Sequence, residues 1–140
     1  MDREILFKAK QKNHVNLPTD EWWVEGYLVK YGWTGKERWY IVPGYASDLY
    51  AIEIDQETIC QYTGLTDKNG NKIWENDIVN KVDCNALGWH RERICRVLWC
   101  ESGYWGLLTI FGDGYFIGEY ESEQLEVIGN IFDNPELMDN

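Results

Sequence analysis

The sequence predicts a mainly β fold with little helix, and three observations carry that expectation. Aromatic residues make up 15% of the chain, with 8 Trp and 9 Tyr, and such side chains suit the half-buried surface of a pleated sheet. Glycine outnumbers proline 13 to 3, which fits a domain built from many tight turns. The strand-forming runs are short and are punctuated by Gly, Asn, Asp and Ser, the pattern of all-β chains. The 140 residues fit one domain, or one domain with an elaborated arm, and 44% hydrophobic residues are enough for a real core.

Taken in order, Arg3–Ala9 alternates as a first strand, with Ile5 and Phe7 on one face and Glu4, Leu6 and Lys8 on the other. A polar connection containing Pro18 follows, and His14 within it reads as an exposed loop residue. Trp22–Tyr31 is the next strand. Its alternation puts Trp23, Glu25, Tyr27, Val29 and Tyr31 on one face and Trp22, Val24, Leu28 and Lys30 on the other. Gly32–Lys36 forms a hairpin loop and Arg38–Val42 returns, ended by Pro43-Gly44. Trp33 in that loop is a contact residue if exposed, and an ordinary packing residue if it folds back onto the sheet. Leu49–Ile54 and Thr58–Tyr62 are two further strands, separated by Asp55-Gln56-Glu57.

The densest turn chemistry lies in Gln61–Val82. Asp67-Lys68-Asn69-Gly70 predicts a tight turn closing an antiparallel pair, Tyr62–Thr66 with Lys72–Trp74. Asp67 accepts a bond from the backbone two residues on, and Asn69 and Gly70 both tolerate positive φ. Asn76 marks a second turn, in the left-handed region, before a strand opening at Ile78 and Val79. The same stretch mimics the start of a calcium loop, with oxygens at Asp67, Asn69 and Asn71. Such a loop needs Gly at its sixth position and Glu at its twelfth, where this chain has Lys72 and Ile78. Calcium binding of that kind is excluded, and Asp67, Asn69, Gly70 and Asn76 are read as structural turn residues.

Beyond it, Asn85–His90 is a loop and Glu92–Cys100 a strand with apolar residues on both faces. Glu101-Ser102-Gly103 turns the chain into Tyr104–Phe111, where Gly106 signals a bulge or a close backbone approach. Gly112-Asp113-Gly114 turns again into Tyr115–Ile117. Ser122–Gln124 forms one helical turn, and Leu125–Phe132 is a last strand ended by Asn134-Pro135.

Charge is informative by position. The net charge is −11, and no Lys or Arg follows Arg96, while nine acids do. That acidic half disfavours nucleic acid and anionic membranes as partners, and reads first as a solubilising face. Lys81, His90, Arg91, Arg93 and Arg96 form a local positive cluster, expected to neutralise acids of the C-terminal half. No run of about 18 apolar residues occurs and the opening lacks a signal-peptide pattern, so the expected location is cytoplasmic. Cys60, Cys84, Cys95 and Cys100 contain no close pair. Cys84, His90 and Cys95 are the nearest approach to a zinc set, and scattered buried thiols are the simpler reading. No metal, cofactor or small-molecule substrate is expected.

Function is bounded more than defined. The chain lacks a P-loop, GxGxxG, HExxH and GxSxG, so no catalytic residue is assigned. Glu119 and Glu121 would share a strand face, yet acids in so acidic a stretch are ordinarily solvated. Trp22, Trp23, Trp33, Trp89 and Trp105 exceed what a core of this size usually buries fully. A protein-interaction or self-assembling module is therefore the leading expectation, with Trp33, Trp89, Arg91, Arg93 and Arg96 as the candidate surface. The alternatives are a nucleic-acid-associated or DNA-mimicking protein, and an enzyme with an unrecognised site.

Several of these motifs occur together in an order that is highly specific. Gln61-Tyr62-Thr63-Gly64-Leu65, Asp67–Gly70, Ile73–Val79 and Leu125–Pro135, with the opening Arg3–Ala9, resemble the YopX family of phage and prophage proteins. Residues 11–57 and 83–124 carry none of the resemblance. Asn76 stands where the family pattern usually has Gly, and Trp74 where it has Tyr or Phe; neither change disturbs the expected turn. The resemblance implies an SH3-type β-barrel over residues 58–133, with a β-rich part at 1–57 packed on it and a tail at 134–140. It implies a phage or prophage gene context and supplies no activity.

Overall fold

The computed structural model describes residues 5–43, 51–84, 87–118 and 122–139. Its strands are β1 (Phe7–Lys10), β2 (Trp23–Tyr31), β3 (Arg38–Val42), β4 (Ile52–Glu53), β5 (Cys60–Thr66), β6 (Lys72–Trp74), β7 (Asp77–Cys84), β8 (His90–Cys100), β9 (Tyr104–Thr109), β10 (Gly114–Phe116) and β11 (Leu125–Asn130). They form two antiparallel sheets, and helical structure among the described residues is confined to single turns. The mainly β expectation holds. Contacts divide the chain into two units, Met1–Tyr62 and Thr63–Asn140.

In the first unit the strands run in the order β4-β3-β2-β1-β5. The expected alternation of β2 is present. Val24 and Leu28 pack against the core of Ala9, Ile41 and Ile54, while Tyr27, Val29 and Tyr31 are exposed. Three boundaries differ from expectation. The first strand begins at Phe7, and Ile5 before it is exposed; Arg3 and Glu4 lie outside the described residues, as do Leu49 and Tyr50. Among the described residues of the expected Leu49–Ile54 strand, Ile52–Glu53 pairs with β3. The strand expected from Thr58 begins at Cys60, and Thr58 instead closes a 3-10 turn, Gln56–Thr58, that starts in the expected break. Side-chain bonds explain that turn: Asp55 accepts from Glu57 N–H at 3.1 Å, and the Thr58 hydroxyl donates to Asp55 O while accepting from Lys10 N–H, both at 2.8 Å.

The second unit begins at the β5–β6 hairpin and continues into an open sheet of order β10-β9-β8-β7-β11. β10 and β11 form its two edges, so this sheet is not a closed barrel. Ile73, Val79, Cys95, Val97, Leu107 and Leu125 fill its core, with Trp105 and Ile117. Asp67 closes the hairpin as expected, its Oδ1 accepting the N–H groups of Asn69 and Asn71 at 2.9 Å each. Gly70 takes positive φ (83°), but Asn69 does not. Asp67 already fixes the Asn69 N–H with Asn69 in an ordinary conformation, so Gly70 alone makes the left-handed step. Asn76 does adopt φ 71°. Asp67 also reaches across the sequence, with Oδ2 accepting Val127 N–H at 2.9 Å, and Lys68 N–H donates to Leu125 O at 3.0 Å.

Two strands end earlier than expected because a side chain takes over the next backbone donors. Thr109 Oγ1 accepts the N–H groups of Phe111 and Asp113 at 3.2 and 3.1 Å, which stops β9 at Thr109. Asn130 Oδ1 accepts those of Phe132 and Asp133 at 2.9 Å, which stops β11 at Asn130. Gly106 marks a close approach and not a bulge, since both its ladders keep register. A Cβ there would lie 2.7 Å from Cys100 Sγ and 3.2 Å from Tyr115 O.

Two predictions follow from this packing. Burial pushes the Asp67 carboxyl up, but donors from Val127, Asn71 and Asn69 outweigh it and hold the group below its ordinary 3.8. Its contribution is thus present at neutral pH and fades as pH falls through the folded-state value, below about 4. Asp67→Asn should cost about 1–3 kcal/mol in urea unfolding at pH 7, with the gap to wild type narrowing near pH 3. Equal midpoints at pH 7 would refute the assignment. Gly106→Ala should cost about 1–3 kcal/mol by thermal melting, and Cys100→Ala in the same chain should recover part of the loss. A Gly106→Ala protein as stable as wild type would show that the approach is not tight.

Candidate functional site

The residues of the expected interaction surface do not come together. Trp33 stands exposed in the β2–β3 loop of the first unit and does not fold back on its sheet. Trp89 is exposed beside the start of β8 in the second unit. The three arginines lie on β8, where alternation places Arg91 and Arg93 on one face and Arg96 on the other. Arg96 is occupied, its Nη2 donating to Asn76 Oδ1 at 2.8 Å. That bond steadies the left-handed turn, so Arg96 serves the architecture.

Arg93 and Lys81 are cross-strand partners on the core-side face. Lys81 Nζ lies 2.6 Å from Asp83 Oδ1, and Arg93 Nη1 lies 3.9 Å from Asp83 Oδ2. Both cations sit 4.9 Å from the centroid of the Tyr115 ring, and Arg93 Nη1 also bonds the Tyr115 hydroxyl. The neutralising acid is therefore Asp83 on β7, not one from the acidic C-terminal half. The ring and the carboxylate together allow two positive groups to share a largely desolvated place. Beside them, burial pushes the Cys95 thiol up against the opposing pull of Lys81 and Arg93. A buried neutral thiol is a poor nucleophile and a poor metal ligand. Among the described residues no group of His, Cys, Asp and Glu is arranged to hold a metal ion. Cys84 pairs with His90 across β7–β8. Glu119 and Glu121 lie outside the described residues.

The opposite face of the same sheet carries a surface that sequence reasoning missed. Register aligns Leu98, Gly106 and Phe116 across β8, β9 and β10, with Cys100–Tyr104 and Arg96–Leu108–Gly114 as the flanking rows. Tyr104 and Leu108 are each 40% exposed and Phe116 56% exposed. Tyr104 and Phe116 lie with ring centroids 5.7 Å apart. Ile110 and Phe111, just past β9, are exposed as well. The rows through Leu98 and Cys100 bear no charge, and the flanking charge on this face is Arg96 beside Leu108.

In the first unit, Lys12, Glu53 and Arg38 line an open cleft with His14 and Asp55. His14 is not a free loop residue: its ring meets Trp22 edge-on at 4.9 Å and its Nδ1 lies 3.2 Å from Gln11 O. Lys12 and Glu53 pair across the cleft at 3.1 Å. The cleft is open and its Lys12 and Glu53 are paired with each other, so the apolar face of the second unit is the better candidate site. No described helix is long and apolar enough to cross a membrane.

Comparison with known proteins agrees with the motifs. No curated protein matches the chain. Among solved structures, it is similar to the crystal structure of protein EF1440 from Enterococcus faecalis, 22% identical, with a TM-score of 0.51. The match covers 99% of this chain and 100% of that one; at such identity it shows the fold alone. The profile of the YopX protein family matches residues 10–139, including the stretches where no motif was recognised. Since that match takes in nearly the whole length, the chain belongs to the YopX protein family.

Proposed function

We propose that this YopX-family chain is a protein-interaction module that self-associates, an accessory protein of phage or prophage origin. The observation that carries the reading is the apolar patch on the outer face of β8–β10, where Tyr104, Leu108 and Phe116 are partly open to solvent and the flanking Arg96 is held by Asn76. Contiguous exposed apolar surface on a folded domain marks a contact site. A second copy is the occupant that the charge pattern favours. With a net charge of −11, like copies repel over most of their surface, and a patch without acidic side chains, such as the rows of Tyr104 and Phe116, is where that repulsion is weakest. A two-fold contact would place the same patch against itself, aromatic side chains included.

The fold reading behind this module is SH3-type. Support comes from the strand order, in which β7 to β10 form a meander and β11 returns beside β7. Open edges and aromatic surfaces in small β domains are suited to protein contacts.

Light scattering on the purified chain tests the proposal. The wild type should run as an oligomer, and Phe116→Glu should run as a monomer with an unchanged circular dichroism spectrum. A wild-type protein that stays monomeric at the highest concentration it tolerates would overturn the self-association reading.

A further inference from the structure

We infer that the N-terminal half of β8 is a docking edge for an extended acidic peptide of another protein. The inference goes beyond the sheet-face reading and needs no self-association. It starts from a mismatch in strand lengths. The β8–β9 ladder ends at the pair Cys95–Thr109, because the Thr109 hydroxyl closes the turn there. β8 continues past that pair as His90–Ile94, held by β7 on one side. On the other side no described strand accompanies it.

The direction of the backbone groups follows from alternation. Asn76 N–H donates to Val97 O at 2.8 Å, which turns the odd-numbered residues of β8 toward β7 and the even-numbered ones toward the β9 side. Glu92, exposed and even-numbered, therefore presents its N–H and C=O where β9 has ended. An extended chain laid there would gain main-chain hydrogen bonds, as in strand addition to a sheet edge. A pocket of about 240 Å³ lies along this edge, with Arg91, Arg93, Ile94, Ile110, Phe111 and Asp113 among its lining. Phe111 is 76% exposed, a large apolar surface with nothing on it.

Charge identifies the occupant. On the core-side face of this end, Lys81, Arg91 and Arg93 outnumber Asp83, while the acids of the pocket, Glu92 and Asp113, lie on the outer face and in the β9–β10 turn. An added strand with acids at alternating positions would set one of them opposite Arg91, the exposed member of that row. Its next, apolar side chain would lie opposite Glu92 and reach toward Ile94, Ile110 and Phe111. A second copy does not fit. Antiparallel self-pairing centred on Glu92 would oppose Arg91 with Arg93 and Glu92 with Glu92, and like charges directly opposite are destabilising.

The test uses a fluorescent peptide, acetyl-Ser-Glu-Val-Glu-Val-Glu-Ser, titrated with the full chain and read by anisotropy. Saturable binding is expected, weakened at least tenfold by Arg91→Glu. Glu92→Pro should weaken it similarly, since it removes the outward N–H and leaves the bonds to β7; if that variant fails to fold, Arg91→Glu decides alone. Lys36→Glu makes the same charge change in the first unit and should leave binding intact, as should Phe116→Glu. Replacing Glu by Lys in the peptide should abolish binding. The inference is overturned if the wild type shows no saturable binding, if Lys36→Glu weakens it as much as Arg91→Glu, or if Arg91→Glu leaves it unchanged. It is likewise overturned if the edge takes a single-stranded oligonucleotide and not the peptide, or if Arg91→Glu dissolves a dimer of the chain.

Discussion

The second unit depends on one buried carboxylate. Asp67 sits where β5 gives way to β6, and its two oxygens accept backbone donors from Asn69, Asn71 and Val127. A buried ionised group is tolerable only when its hydrogen-bonding capacity is met, and here backbone N–H groups meet it. Two of those donors shape the hairpin turn; the third belongs to β11, sixty residues further along the chain. The same side chain therefore sets a local turn and holds the last strand at the edge beside β7. That arrangement explains why an oxygen-rich sequence that imitates a calcium loop has no capacity left for a cation.

A second knot works in the same way at Asn76. Its left-handed conformation makes the turn, its N–H bonds Val97 O and its carbonyl accepts Ile131 N–H, and its side-chain oxygen takes the Arg96 guanidinium. The Asp67 and Asn76 turns are thus both tied to distant strands, and they join the sheet's ends to its middle. The strand ends obey the same logic. Thr109 and Asn130 each stop a strand by offering a side-chain oxygen to two successive N–H groups. This is the competition between side chain and ladder that polar residues bring to any strand.

How much of this could be read from the sequence depends on range. The hairpin at Asp67, the turn at Asn76, the two faces of β2 and the tight place at Gly106 were all legible, because each rests on residues a few positions apart. The long-range half of each was not. Nothing in the spacing of Asp67 and Val127 announces that one bonds the other, and Arg96 looked like surface charge because its partner Asn76 is twenty residues away. The candidate surface failed for a related reason. Leu98, Tyr104, Leu108 and Phe116 lie in runs that are apolar on both faces, so alternation gives no contrast between the core side and the solvent side. Trp drew attention as the largest apolar residue, yet Trp105 lies in the core and the open face is made by smaller side chains.

That difference also separates the charges that hold this fold from those that remain for recognition. Arg96 is spent on a turn, and Lys81 and Arg93 are stacked with Tyr115 and bound to Asp83. Arg91 extends the same face one alternation further, past the reach of Tyr115, where β7 is its flanking strand. A row of cations that begins buried and ends exposed leaves its last member positioned by the buried ones and still facing solvent. Preorganised charge of this kind gives a partner its register at little entropic cost. The edge at Glu92 and the cation at Arg91 thus arise from one cause: β8 outruns its neighbour. A change that lengthened β9 by two residues would cover both at once, without altering a single residue of β8.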